Sequence, residues 1–153
     1  MSIRATGHAW FWLAVAGHIV QLGAQPLTLR TGPLVFRESA HEAPLPKYPT
    51  EAALQGAEGQ VLADVYVRLD GDVASVDARP GSDPRLAAAV VTAVKRWRFR
   101  QLKHPEPDKA DQIDVLVHGR VLFYFTLFAG RPIVIDAAAA VLCSRAEYGV
   151  PVR

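Results

Sequence analysis

Residues 61–99 limit what this chain can fold into more than any other stretch. Val61, Ala63, Val65, Val67 and Leu69 alternate with Leu62, Asp64, Tyr66 and Arg68. That is the period of two expected of a strand with one buried face. Asp70-Gly71 follows at once, and Asp-Gly between alternating runs predicts a hairpin with a type I′ turn, which needs positive φ at both central positions. A return strand over 73–79 alternates again and is stopped by Pro80-Gly81. Asp83 is placed to cap a helix that Pro84 opens, where a missing N–H costs nothing. Leu86, Ala89, Val90, Ala93 and Trp97 recur at helical spacing, so a helix over 83–97 carries one apolar stripe. Trp97 and Phe99 flank the step from helix to strand and are expected as core aromatics between helix and sheet.

Both flanks extend this unit. Upstream, the Pro44-Leu45-Pro46-Lys47-Tyr48-Pro49 run is extended or turning, and Thr50 can cap a short helix that Gly56 ends. Gly59 then allows a close turn into the first strand. Downstream, Pro105 and Pro107 mark a loop before alternation resumes at Ile113, Val115 and Val117. It passes His118-Gly119, where glycine suits a bulge, and continues through Val121, Phe123 and Phe125. Leu122 and Tyr124 fall on the other face, so the far end of this strand is apolar on both sides. Ala129-Gly130 turns, 133–135 forms a further short strand, and Asp136 caps a helix running from Ala137 towards Tyr148. Cys143 lies in that helix, and inert packing is expected of it over an exposed thiol. The fold class expected is α+β. Its sheet is three-stranded and antiparallel, the hairpin plus a long third strand, with the main helix on one face. A short N-terminal helix and an extra C-terminal helix complete it.

Residues 1–24 bear on location. Arg4 precedes an apolar run over 9–24 that contains Trp10, Phe11, Trp12 and Leu13 and is broken by His18 and Gln21. A membrane-spanning helix needs about 20 apolar residues, and this run is shorter. A secretory signal cleaved after Ala24 is the first reading, an uncleaved membrane anchor the second, and a helix buried in the domain the third. The first two carry the globular part across the membrane. Residues 25–43 lack a clear period and read as a linker that spans at most roughly 65 Å. The division expected is therefore 1–24 signal or anchor, 25–43 linker, 44–128 domain and 129–153 C-terminal extension.

Chemistry is not written into the chain. Its net charge of +2 is too small to argue for nucleic acid as a partner, and a single cysteine excludes an intrachain disulfide. The five histidines lack ligand-like spacing, so no metal or cofactor is expected. There is no phosphate loop and no Gly-x-Ser-x-Gly elbow, and the one adjacent acid–base pair, His41-Glu42, lies in the linker. The chain does not read as an enzyme. Lys95, Arg96, Arg98, Arg100 and Lys103 form a basic cluster. It is either a solvated helix end that suits the helix dipole or a docking patch for an acidic partner.

Four ordered pieces carry a resemblance: Tyr48-Pro49, then Glu58-Gly59-Gln60-Val61, then Asp70-Gly71-Asp72-Val73, then Trp97-Arg98-Phe99. In this order and spacing they resemble the C-terminal domain of TonB, the energy transducer of Gram-negative envelopes, over roughly residues 44–128. The resemblance implies a periplasmic domain whose last long strand lies at the sheet edge. There it would accept an extended peptide of an outer-membrane transporter by strand addition. The residues so implied are Val121, Leu122, Phe123, Tyr124, Phe125, Thr126, Leu127 and Phe128. Unpaired N–H and C=O groups make such an edge a template for another strand. If the N-terminal helix is retained, the family also implies coupling to an inner-membrane proton-channel complex, with His18 the ionisable residue in that helix. A cleaved segment would leave an envelope scaffold that is not energised. The chain departs from the family at its end, where the tail after 129 could cover the strand edge itself.

Overall fold

The computed structural model describes residues 26–105, 107–109 and 114–147. In chain order the elements are β1 (Leu27–Arg30), α1 (Pro33–Ser39), β2 (Ala40–Glu42), α2 (Thr50–Leu54), β3 (Gly59–Arg68) and β4 (Val73–Ala78). There follow α3 (Pro84–Val94), β5 (Arg98–Phe99), a single 3₁₀ turn, β6 (Val115–Phe128), β7 (Arg131–Asp136) and α4 (Ala137–Glu147). The apolar segment expected as signal or anchor, His18 included, lies outside the described residues. Among the described residues no helix is long and apolar enough to cross a membrane.

The α+β class holds, but the sheet is larger and of mixed direction. It has five strands, ordered β1-β6-β3-β4 with β7 also on β6. The three expected strands are its centre: β3 lies antiparallel to β4 (Val65↔Val76) and to β6 (Val65↔Gly119). Two further strands share the second edge of β6. Parallel β1 covers 115–118 and antiparallel β7 covers 123–128. A three-stranded reading failed because β1 is four residues of Leu-Thr-Leu-Arg, too short for its alternation to stand out.

The hairpin forms where Asp70-Gly71 predicted it, by a different turn. The Gly71 N–H donates to the Arg68 carbonyl, and the Arg68 N–H donates to the Asp72 carbonyl. Within this loop only Gly71 has positive φ, at +96°. The loop is thus a type I turn closed by a glycine bulge rather than type I′. Glycine is needed twice over, since an added Cβ would lie 2.1 Å from the Phe99 carbonyl oxygen.

Helix α3 begins after Asp83, whose carboxylate accepts from the Arg85 N–H at 2.8 Å, and ends at Val94, three residues short of the expected limit. Leu86, Val90 and Val94 are fully buried against Val61, Ala63, Val65 and Val67 of β3. Trp97 and Phe99 are buried as expected, with ring centroids 6.1 Å apart. Thr50 does not cap α2, whose cap position is Pro49.

The stretch 25–43 is not a bare connector, because β1, α1 and β2 occupy 27–42. α1 delivers Phe36 into the core, 4.7 Å from the Phe99 ring. The bulge expected at His118-Gly119 is absent, since β6 pairs with β3 without a register break from Leu116 to Phe125. Gly119 serves packing instead: a Cβ there would sit 2.2 Å from the Phe36 ring. Glycine makes the slot into which α1 presses its aromatic. Cys143 is exposed, contrary to the inert packing expected of it.

Candidate protein-interaction site

The strand singled out for partner binding is divided by its pleat. Val121, Phe123 and Phe125 are buried on the helix side, while Leu122, Thr126 and Leu127 are partly covered. Tyr124 and Phe128 remain 42% and 72% exposed. Tyr124 pairs with Ile135 and Thr126 with Ile133. Both isoleucines are exposed, so this corner of the sheet shows an apolar face to solvent.

The backbone edge of this strand is occupied by the chain itself. β7 runs antiparallel from Phe123↔Asp136 to Phe128↔Arg131, which meets the N–H and C=O groups that would otherwise form a template. Along β6 the pairing with β1 ends at His118 and the pairing with β7 begins at Phe123, so 119–122 are bordered by neither. A cleft of about 300 Å³ opens there, with Leu62, Val121 and Leu122 on one side and Leu34, Ala137 and Ala138 on the other.

Asp136 ties β7 in place. Its Oδ1 accepts from the Ala138 and Ala139 N–H groups at 3.1 Å, capping α4 as the sequence predicts. Its Oδ2 accepts from Arg37 Nε at 2.6 Å, with the carboxylate side chain only 3% exposed. The Arg37 guanidinium also lies over the Trp97 ring, 5.0 Å from its centroid. N-terminal α1 and C-terminal α4 are therefore clasped through one buried ion pair set on the central tryptophan. No local sequence signal links two residues 99 positions apart.

The far end of β6 is closed by Glu58. Its carboxylate accepts from the Thr126 hydroxyl at 2.8 Å and from the Leu127 N–H, just past the end of the β3 ladder. The Leu127 N–H chiefly, and Thr126 after it, hold this carboxyl below its ordinary range. Tyr48 bonds the Ala57 carbonyl at 2.5 Å and meets Phe125 edge-on at 5.3 Å. The Tyr-Pro and Glu-Gly pieces are thus braces around β6.

Across the sheet from the helices, Asp64 gathers three cationic or titratable groups: Arg79 at 2.7 Å, His118 at 2.8 Å and Arg120 at 3.1 Å. The Arg79 hydrogen bond above all, aided by His118 and Arg120 against partial burial, holds the Asp64 carboxyl far below the usual carboxylate range. A depressed folded value stabilises the fold above the unfolded value of about 3.9 and ceases to do so as pH falls through the folded one. Below about pH 4, stability of the native chain should therefore fall more steeply than that of Asp64→Asn. Urea titrations at stepped pH check this, and parallel curves would remove Asp64 from the account.

The family model for the Gram-negative bacterial TonB protein C-terminal matches residues 44–127. The chain belongs to that family. The match covers more than half of the chain and takes in Tyr48-Pro49, Glu58-Gly59, Asp70-Gly71 and Trp97-Arg98-Phe99. TonB C-terminal domains are non-enzymatic protein-interaction domains on the periplasmic side of the Gram-negative envelope. No curated protein matches the chain. The TonB C-terminal match leaves out β1, α1 and β2 at one end and β7 and α4 at the other. Of these, β1 and β7 share the second edge of β6, and the two additions meet through Arg37 and Asp136.

Proposed function

We propose that this protein is a periplasmic interaction module that takes an extended peptide of an envelope partner as an added strand along 121–128. Its own β7–α4 segment guards that edge. The observation that carries this reading is the antiparallel pairing of β7 with Phe123 to Phe128. A segment outside the family match occupies the backbone that strand addition requires. A partner then binds in exchange for β7, and its apparent affinity is lowered by the small fraction of open molecules. The partner chemistry that fits is an extended segment with apolar side chains for the Tyr124 face, such as a peptide of an outer-membrane transporter. Energy coupling through an inner-membrane proton-channel complex belongs to the form that keeps residues 9–24 as a membrane helix. Cleavage of that helix leaves a scaffold that is not energised. A second reading, a permanently self-paired scaffold, is favoured by the burial of the Asp136–Arg37 pair.

A receptor-derived peptide titrated by NMR separates the two readings. Three forms are compared: the full chain, Asp136→Asn, and a chain lacking 130–153. Asparagine still caps a helix but loses the ion pair. Amide shifts over 121–128 should appear at lower peptide concentration in Asp136→Asn and lowest in the truncated chain. Silence in all three forms ends the strand-addition reading.

A further inference from the structure

We propose that the flank of α3 carries a second docking groove, which takes an extended acidic segment of a partner protein. The groove lies between α3 and the Pro-rich stretch 44–49 and encloses about 550 Å³. It shares no residue with the β6 edge, so it stands whether or not strand addition occurs.

Leu86, Val90 and Val94 turn one stripe of α3 to the sheet. Arg85, Ala88, Ala89 and Thr92 turn another stripe to the groove, with Arg96 of the following turn and Lys47 beside them. The alanines leave room for a peptide backbone to lie close along the helix. The opposite wall is rigid, because Trp97 Nε1 donates to the Pro44 carbonyl at 3.0 Å and Tyr48 is held by the Ala57 carbonyl. A preformed wall spares a ligand the cost of ordering it.

The charges choose the ligand. Lys47, Arg85 and Arg96 line the groove, and no carboxylate does. Arg85 is engaged by Asp83 at 2.7 Å and by Gln55 at 2.6 Å. Among the described residues, Lys47 and Arg96 have neither ion pair nor hydrogen bond through their side chains. Two unpaired cations over an apolar floor attract an anion that is partly apolar. Arg85 stands in the first turn of α3 and Arg96 in the turn that follows its last residue, Val94, eleven positions on, about 16 Å at a rise of about 1.5 Å per residue. An extended peptide covers that length in about five residues, so carboxylates four or five positions apart fit it. A compact anion spans neither the length nor the apolar floor.

The probe is an acetylated and amidated pentapeptide, Glu-Ala-Pro-Ala-Glu, titrated into the full chain by NMR beside its Gln-Ala-Pro-Ala-Gln twin. Shifts should centre on Lys47, Ala88, Ala89, Thr92 and Arg96, weaken with added salt, and be absent with the twin. The double variant Lys47→Glu/Arg96→Glu changes two exposed side chains and should keep the circular dichroism of the native chain. It should bind the acidic probe at least tenfold more weakly. Equal binding by the twin, or by the charge-reversed variant, overturns the proposal. So does a response to inorganic phosphate at these amides with none to the peptide, which would mark a simple anion site.

Discussion

Trp97→Ala is expected to lower the unfolding free energy by about 3–5 kcal/mol, the range for truncating a large core aromatic. Trp97 is fully buried and touches three separate layers of the fold. Its ring meets Phe123 of β6 edge-on at 6.1 Å, Phe99 of β5 at 6.1 Å, and the Arg37 guanidinium of α1 at 5.0 Å. Its Nε1 donates to the Pro44 carbonyl. Alanine would lose the transfer free energy of the ring and leave a cavity bounded by strands that cannot close on it. Trp97→Phe, which keeps much of the volume and loses the donor, should cost less, near the net worth of one hydrogen bond of about 1 kcal/mol plus a packing defect. Urea unfolding followed by far-ultraviolet circular dichroism measures both. A loss under about 1 kcal/mol for Trp97→Ala, typical of a surface change, would overturn the central place given to this residue.

What could be read from the sequence follows the range of the interactions involved. The β3–β4 hairpin, the α3 stripe through Leu86, Val90 and Ala93 and the Asp136 cap each arise from residues a few positions apart, and periodicity and local capping signals report them. The turn at Asp70-Gly71 was legible as a turn but not as a type. Its form depends on Phe99, whose N–H donates to the Gly71 carbonyl at 2.9 Å from another part of the chain. β1, α1 and β2 escaped because each is at most seven residues long, so no stripe repeats often enough to show. Gly119 was visible as an exception in an alternating strand, and a bulge was the local explanation. The real cause lies in Phe36, 83 positions upstream, which nothing in the strand announces.

The candidate site shows the same limit. Two apolar faces on β6 near Leu122 to Phe125 meant that something must cover this strand, and the tail was one of the choices. Sequence could not choose between partner and tail, because a strand edge is made of backbone groups that carry no residue signature. The register of β7 decides who holds the edge in this chain. The buried Arg37–Asp136 pair then gives the guard a latch. Removing one member of a buried pair leaves an uncompensated charge, so the latch also couples the N-terminal addition to the C-terminal one.

Phe36→Ala should cost about 3–5 kcal/mol, a large effect for a residue in a stretch that reads as a linker. Phe36 is fully buried on Gly119 and Phe99, whereas its neighbour Val35 is exposed. Gly119→Ala should cost about 1–3 kcal/mol, because its Cβ would enter the Phe36 ring and force α1 away from the sheet. The two changes test one contact, so they should not add. With Phe36 reduced to alanine the ring that a methyl group at 119 would enter is gone, and the change also removes a glycine from a strand interior. In that background Gly119→Ala should cost nothing or should stabilise, giving a coupling of about 1–3 kcal/mol between the two sites. A double-mutant cycle on urea unfolding, with both single variants checked for native circular dichroism, measures the coupling directly. Additive losses would mean that α1 does not seat Phe36 on Gly119, and with that the clasp through Arg37 would lose its footing.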